Sequence, residues 1–145
     1  RIQKMINADI FEIKTVETYP HFPVNLARYF LTAKKPLKNN KLPQLKGRIP
    51  DIGTYDLIII GSPVWWYTLS APMISFLSRC DFRGKTVVTF ATYDGSPGNF
   101  FNDFRKHIKN AKVIDGIGFR NVSGEKSEIL NEKILNWLNE LRRRK

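Results

Sequence analysis

Short aliphatic runs alternate along this chain with longer stretches of helical periodicity. Tyr55-Asp-Leu-Ile-Ile-Ile-Gly61 is the kind of run found in strands buried on both faces. Lys85-Thr-Val-Val-Thr-Phe-Ala91 is a second, and Lys112-Val-Ile-Asp-Gly-Ile-Gly118 is a weaker one, interrupted by two glycines. Asp9-Ile-Phe-Glu-Ile-Lys14 alternates in character and predicts a strand with Phe11 and Ile13 on one face.

Helices are expected between these runs. Ser70 is a favourable N-cap before Ala71-Pro72, with Met73, Phe76 and Leu77 as an inward stripe. Ser96-Pro97 repeats the start signal, followed by Phe100, Phe104 and Ile108 at four-residue steps. From about Glu125 to Leu141, an apolar face carries Leu130, Ile134, Trp137, Leu138 and Leu141. A further helix is expected from about Pro23 to Lys35, and residues 35–50, rich in Pro, Asn and Lys, read as a long surface connection.

Strands separated by helices predict an α/β fold: a parallel sheet with helices on both faces. Ligands of such sheets bind outside the carboxyl ends of the strands. Two segments are expected there, Ser62 to Leu69 and Thr92 to Asn99. The first sets Trp65, Trp66 and Tyr67 side by side, either plugging the end of the sheet or offering an indole to a planar heterocycle. The second, Thr92-Tyr-Asp-Gly-Ser-Pro-Gly-Asn99, has turn chemistry in which Asp94-Gly95 permits positive φ. Its backbone groups suit the polar edge of a ring, although Asp-Gly by itself also marks an ordinary turn.

Composition narrows the alternatives. At 145 residues, the chain suits a single domain with a sizeable core. With 42% hydrophobic and 12% aromatic residues, it is too apolar for a disordered chain. The lone Cys80, with His21 and His107, excludes a disulfide scaffold and makes a Cys/His metal centre a poor reading. Cys80 reads as a small apolar residue, and the two histidines as surface or packing residues. Neither has the setting of a hydrolase site, and no G-x-S-x-G elbow is present. No apolar leader opens the sequence, and a reducing cytoplasm is the expected location. Residues 57–78 are uncharged for a membrane-spanning length, but Gly61-Ser-Pro63 and Ser70-Ala-Pro72 break them into a strand, a loop and a helix start. No membrane association is expected.

Charge is the unusual feature. Lys plus Arg number 24 against 13 acids, a formal net charge of +11. Residues 18–50 contain Arg28, Lys34, Lys35, Lys38, Lys41, Lys46 and Arg48 and no acid, and Arg142-Arg143-Arg144-Lys145 closes the chain. Such an excess fits nucleic acid, an anionic surface or an acidic partner protein, or simply a solvated surface.

Gly61-Ser-Pro-Val-Trp-Trp66, followed by Ser70-Ala-Pro-Met-Ile-Ser-Phe-Leu77, resembles the flavin loop and next helix of flavodoxins, particularly the short bacterial flavodoxin-like group. The similarity continues through Asp81 to Thr92 and the Gly95-Ser-Pro-Gly98 loop. Upstream it includes Asp9 to Pro20 and Leu45 to Asp51, so nearly the whole chain is covered. The resemblance implies a flavodoxin-like doubly wound sheet and non-covalently bound FMN serving electron transfer. Carried over, Ser62, Pro63, Val64, Trp65 and Trp66 would flank the isoalloxazine. Thr92, Tyr93, Asp94, Gly95 and Ser96 would meet its pyrimidine edge through the backbone. No catalytic or metal residue is assigned.

The chain departs from the family at its start. Flavodoxins open with a strand and a phosphate loop leading into the first helix. Here Arg1-Ile-Gln-Lys-Met-Ile-Asn-Ala8 looks like the end of that helix, so the strand and loop have no counterpart. The expectation is an N-terminally incomplete domain, or one completed by another chain as a dimer. Leu57 to Ile60 would then lack a neighbour on one side.

Two functions other than simple electron transfer stay open at this stage. One is an NAD(P)H-dependent FMN quinone or nitro reductase; the other is a basic α/β binding module without flavin. No nucleic-acid motif supports the second, and nucleic acid is not the expected partner. Redox proteins of acidic character are, since positive charge near the ring would favour both them and the reduced, anionic flavin.

Overall fold

A computed structural model describes residues 1–17 and 42–144. In chain order they form α1 (Ile2–Ile6), β1 (Leu57–Trp65), β2 (Thr68–Leu69) and α2 (Ala71–Leu77). There follow β3 (Thr86–Tyr93), α3 (Phe100–His107), β4 (Lys112–Arg120) and α4 (Ser127–Arg143). The helix expected at 23–35 lies outside the described residues, as does the first part of the connection at 35–50.

The sheet has the order β2-β1-β3-β4. β1 and β4 both run parallel to β3, while β2 folds back antiparallel on the end of β1. This is the mostly parallel α/β arrangement expected from the alternating pattern, and it accords with the flavodoxin-like fold that the resemblance implies.

Successive strand residues face opposite layers, and the two halves of the core follow from that. Val87 and Ala91 face a cluster with Met73, Phe76 and Leu77 of α2 and Phe100 and Phe104 of α3. Val88 and Phe119 face Leu130, Ile134, Trp137, Leu138 and Leu141 of α4, with Ile2, Met5 and Ile6 of α1 packed alongside. Phe90, Phe119 and Trp137 meet edge to face at about 6 Å. The sheet is therefore covered on both sides, and every apolar stripe named from the sequence of α2, α3 and α4 is buried.

Three local expectations need correction. Residues 9–14 do not form a strand. The pairing near them is an isolated bridge between Thr15 and Leu45, and no strand among the described residues runs alongside to make a ladder. Phe11 is accordingly exposed, while Ile13 is half-buried. Second, β1 continues four residues beyond Gly61, so Ser62 to Trp65 belong to a strand and not to a loop. Third, the serines expected as helix caps do not cap with their side chains. Ser70 Oγ lies 3.2 Å from Ser62 Oγ, and Ser96 Oγ accepts from Gly98 N at 3.2 Å, one residue before the N-cap Asn99.

The glycines of β4 do not end that strand. Its register against β3 shifts between Val88 and Phe90, a bulge that absorbs the extra residue. Along Leu57–Pro63, β1 is hydrogen-bonded to β3, and β2 reaches only Val64 and Trp65 on the other side. Among the described residues nothing else pairs with β1 on that side, and Pro63, which has no N–H to donate, sits in this part of the strand.

Candidate functional site

The two segments singled out from the sequence meet at one end of the sheet. In the parallel ladder of β1 and β3, Ser62 is opposite Ala91 and Pro63 opposite Thr92. The carboxyl ends of both strands therefore open on the same side, where ligands of such sheets bind.

Beyond Pro63 the chain makes a tight hairpin. Val64 pairs with Leu69 and Trp65 with Thr68, leaving Trp66 and Tyr67 as a two-residue turn. Their φ angles are +53° and +64°, positive at both central positions as a type I′ turn requires. Asn-Gly is the usual occupant of such a turn. Two large aromatics in left-handed backbone are strained, by about 1–3 kcal/mol each, and persist only where surrounding contacts hold them.

Those contacts come from the second segment. Asn99 N donates to Tyr67 O at 2.8 Å. Gly98, at φ +53°, lies so close that a Cβ there would fall 2.4 Å from Tyr67 Cβ. Thr68 Oγ1 donates to Asp103 Oδ2 at 2.6 Å, and Lys106 Nζ reaches the other carboxylate oxygen at 2.9 Å. The bonds from Lys106 and Thr68 hold the Asp103 carboxyl below the usual range. α3 is itself pinned by the fully buried Phe100 and Phe104.

The named residues take different places around this junction. Trp65 and Trp66 are each half-buried, so neither is wholly a plug nor wholly presented, and Tyr67 is 64% exposed. Val64 packs on the core. Ser62 is buried, its hydroxyl turned towards Ser70 and the Pro63 carbonyl, because strand alternation sends Ile60 and Ser62 inward and Pro63 outward. Thr92 and Tyr93 end β3 half-buried, and Asp94, Gly95 and Ser96 are exposed. The positive φ of this segment falls at Gly98 and not at Gly95. Asn121 N donates to Tyr93 O at 2.8 Å and Arg120 Nε to Asp94 O at 3.0 Å, so the end of β4 braces the turn.

Sequence reasoning missed Thr68, Asp103 and Arg120, and placed Gly98 in the flexible turn without its contact to Tyr67. The Gly98 signal was present, since a second glycine after Asp-Gly suggests a close backbone approach. The others act through long-range contacts that no local pattern marks.

A separate cleft among the described residues lies elsewhere. About 780 Å³ in volume, it is lined by residues 49–53 and 79–85, including Arg79, Arg83 and Lys85, at the amino-terminal end of the strands. The Asp81 carboxylate there is bonded to Arg83, which lowers its pKa. Burial pushes the nearby Cys80 thiol up to about 11. At the aromatic end, the half-buried Trp65 and Trp66 instead stand on a hairpin joined to the polar 92–99 turn. A flat ring suits such a surface better than a compact ligand does.

Among the described residues, no cluster of three or more His, Cys, Asp or Glu could hold a metal ion. Nor is any helix among them long and apolar enough to cross a membrane.

Comparison with known proteins bears on the family and the fold. The flavodoxin family model matches residues 1–141. A candidate flavoprotein from Bacteroides eggerthii DSM 20697 superposes with a TM-score of 0.76 at 25% identity, covering 95% of this chain and 84% of that one. One from Bacteroides uniformis ATCC 8492 shares the fold, with a TM-score of 0.76 at 22% identity over 95% and 85% of the two chains. A flavoprotein from Lactobacillus acidophilus NCFM, solved in complex with FMN, matches with a TM-score of 0.63 at 26% identity, over 81% and 82%. A search of curated proteins returned no match. With the family match spanning almost the whole length, this chain belongs to the flavodoxin family.

Proposed function

We propose that this protein binds FMN at the carboxyl ends of β1 and β3 and serves in electron transfer. The observation that carries this reading is the juxtaposition of the Trp65–Tyr67 hairpin with the 92–99 turn, through the Pro63–Thr92 register and the Tyr67–Gly98 contact. The Lactobacillus acidophilus relative, solved with FMN, supports the choice of flavin.

The residues present fit the ring of a flavin. Trp65 and Trp66 offer indole faces for stacking, and Thr92 to Ser96 offer backbone donors and acceptors for a polar heterocyclic edge. Ser62 and Val64 support the platform from inside through the hydroxyl pair with Ser70 and through core packing. Fit at a phosphate is not matched among the described residues. The Ser96-Pro-Gly98 turn does open a helix, but the hairpin already occupies that N-terminus: Asn99 N is bonded to Tyr67 O and Gly98 is pressed on Tyr67.

When bound, the flavin would supply the redox chemistry, with the protein contributing its environment. Half-burial of the indoles excludes water from one face of a stacked ring, while the exposed 94–96 turn leaves its edge open to a partner. Arg120, bonded to the Asp94 carbonyl, is the cation that the geometry brings to this turn, and it would favour added negative charge there. Acidic partner proteins are part of the proposal on that ground. The test is extraction of the cofactor from the purified protein and its identification by chromatography. FMN is expected; FAD, another chromophore or none overturns the reading.

A further inference from the structure

Resting on that reading of the site, we infer that Asp103 is a positioning residue for the ring platform, acting through Thr68. The hairpin cannot hold itself. β2 is two residues long and offers two register pairs, Val64 with Leu69 and Trp65 with Thr68, against a turn strained at both Trp66 and Tyr67. A hairpin this short is marginal without support from outside.

The support is concentrated in α3 and the residues that lead into it. Thr68 sits directly opposite Trp65 in the ladder, and its hydroxyl donates to Asp103 Oδ2 at 2.6 Å, the short distance of a charge-assisted bond. Lys106 fixes the second oxygen at 2.9 Å, so the carboxylate is held from both sides. Asp103 stands next to Phe104 and one turn from Phe100, both fully buried, which makes α3 a rigid base. The same helix is entered through Gly98 and Asn99, which touch and bond Tyr67. One carboxylate thus ties the indole wall to the wall that carries residues 92–96.

The consequence is a population effect. If the bond between Thr68 and Asp103 is lost, the hairpin visits arrangements in which Trp65 and Trp66 are no longer held in register beside the turn, and ring affinity falls by the fraction of time spent there. A charge-assisted hydrogen bond of ordinary strength corresponds to about a tenfold loss of affinity.

The test is FMN titration, by quenching of flavin fluorescence, of the unaltered chain and of Thr68→Val, Thr68→Ser and Asp103→Asn, with circular dichroism on each. Thr68→Val and Asp103→Asn are expected to weaken FMN about tenfold while remaining folded, with the double variant no worse than either single one. Thr68→Ser, which keeps the hydroxyl, is expected to restore binding. If the unaltered chain fails to bind FMN, the reading of the site falls. If it binds and both variants match it, or Ser behaves as Val, the positioning role falls. Should Thr68→Val unfold, Asp103→Asn carries the comparison. Unfolding of both would overturn the inference, by making the pair a support of the whole domain.

Discussion

Gly98 lies against Tyr67 at backbone distance. A Cβ at position 98 would fall 2.4 Å from Tyr67 Cβ and 2.5 Å from Tyr67 O, and the residue's φ of +53° is itself one that side chains rarely adopt. Through this contact the strained hairpin and the polar turn become one surface. Gly98→Ala combines left-handed strain with overpacking, so a loss of about 1–3 kcal/mol is expected in urea unfolding. An unchanged midpoint would show that the two segments are not pressed together.

A second close approach lies inside the sheet. Gly61 is paired with Phe90, whose ring covers the position where a Cβ would be, at 2.0 Å from Cζ. Gly61→Ala is expected to cost about 1–3 kcal/mol, because Phe90 must leave its contacts with Phe119 and Trp137. Adding Phe90→Leu should recover part of that loss. A double-mutant cycle reads the coupling, which is expected to be at least about 0.5 kcal/mol.

The Asp103 carboxyl gives a pH dependence of known sign. Its pKa is lowered in the folded chain by Lys106 and then Thr68, with His107 adding a weaker effect. The stabilisation is therefore fully present above the unfolded-chain value of about 3.9 and is lost as pH falls through the lower, folded value. Asp103→Asn should flatten the stability profile in that acid window and leave its slope near neutrality unchanged. A change of slope near neutrality alone would assign the effect to another group.

Cys80 is expected to be a slow thiol. It is half-buried and its pKa is raised to about 11 by burial. At pH 8 about one molecule in a thousand then carries the thiolate that reacts. Labelling with a disulfide reagent should be far slower than for free glutathione, and should reach that rate on unfolding. Reaction as fast as glutathione in the folded protein would contradict the burial.

How much of this was legible beforehand differs between elements. Ile58 to Ile60, Val87, Val88 and the stripe Leu130–Leu141 announced themselves, because burial on a sheet or helix face leaves a periodic trace in the sequence. Trp65, Trp66 and the 92–96 turn were legible as a strand-end pair through composition. The hairpin was not, since Trp-Tyr is an improbable type I′ turn and nothing local signals it. The run at 9–14 misled for the opposite reason: its alternation is strand-like, but a strand needs a neighbour, and pairing is a property of the fold. Thr68, Asp103 and Arg120 were invisible because their partners lie 26 to 35 residues away in the chain.

The central claim is that the aromatic hairpin and the 92–96 turn hold a flavin ring. The direct measurement is a titration of FMN with the unaltered chain and with Trp65→Ala and Trp66→Ala, following flavin fluorescence, with circular dichroism to verify folding. The expected result is saturable quenching by the unaltered chain and a loss of affinity of at least about tenfold in one or both folded variants, in keeping with the 1–3 kcal/mol typical of stacking on an aromatic side chain. Absence of quenching by the unaltered chain, or equal quenching by all three proteins, would contradict it.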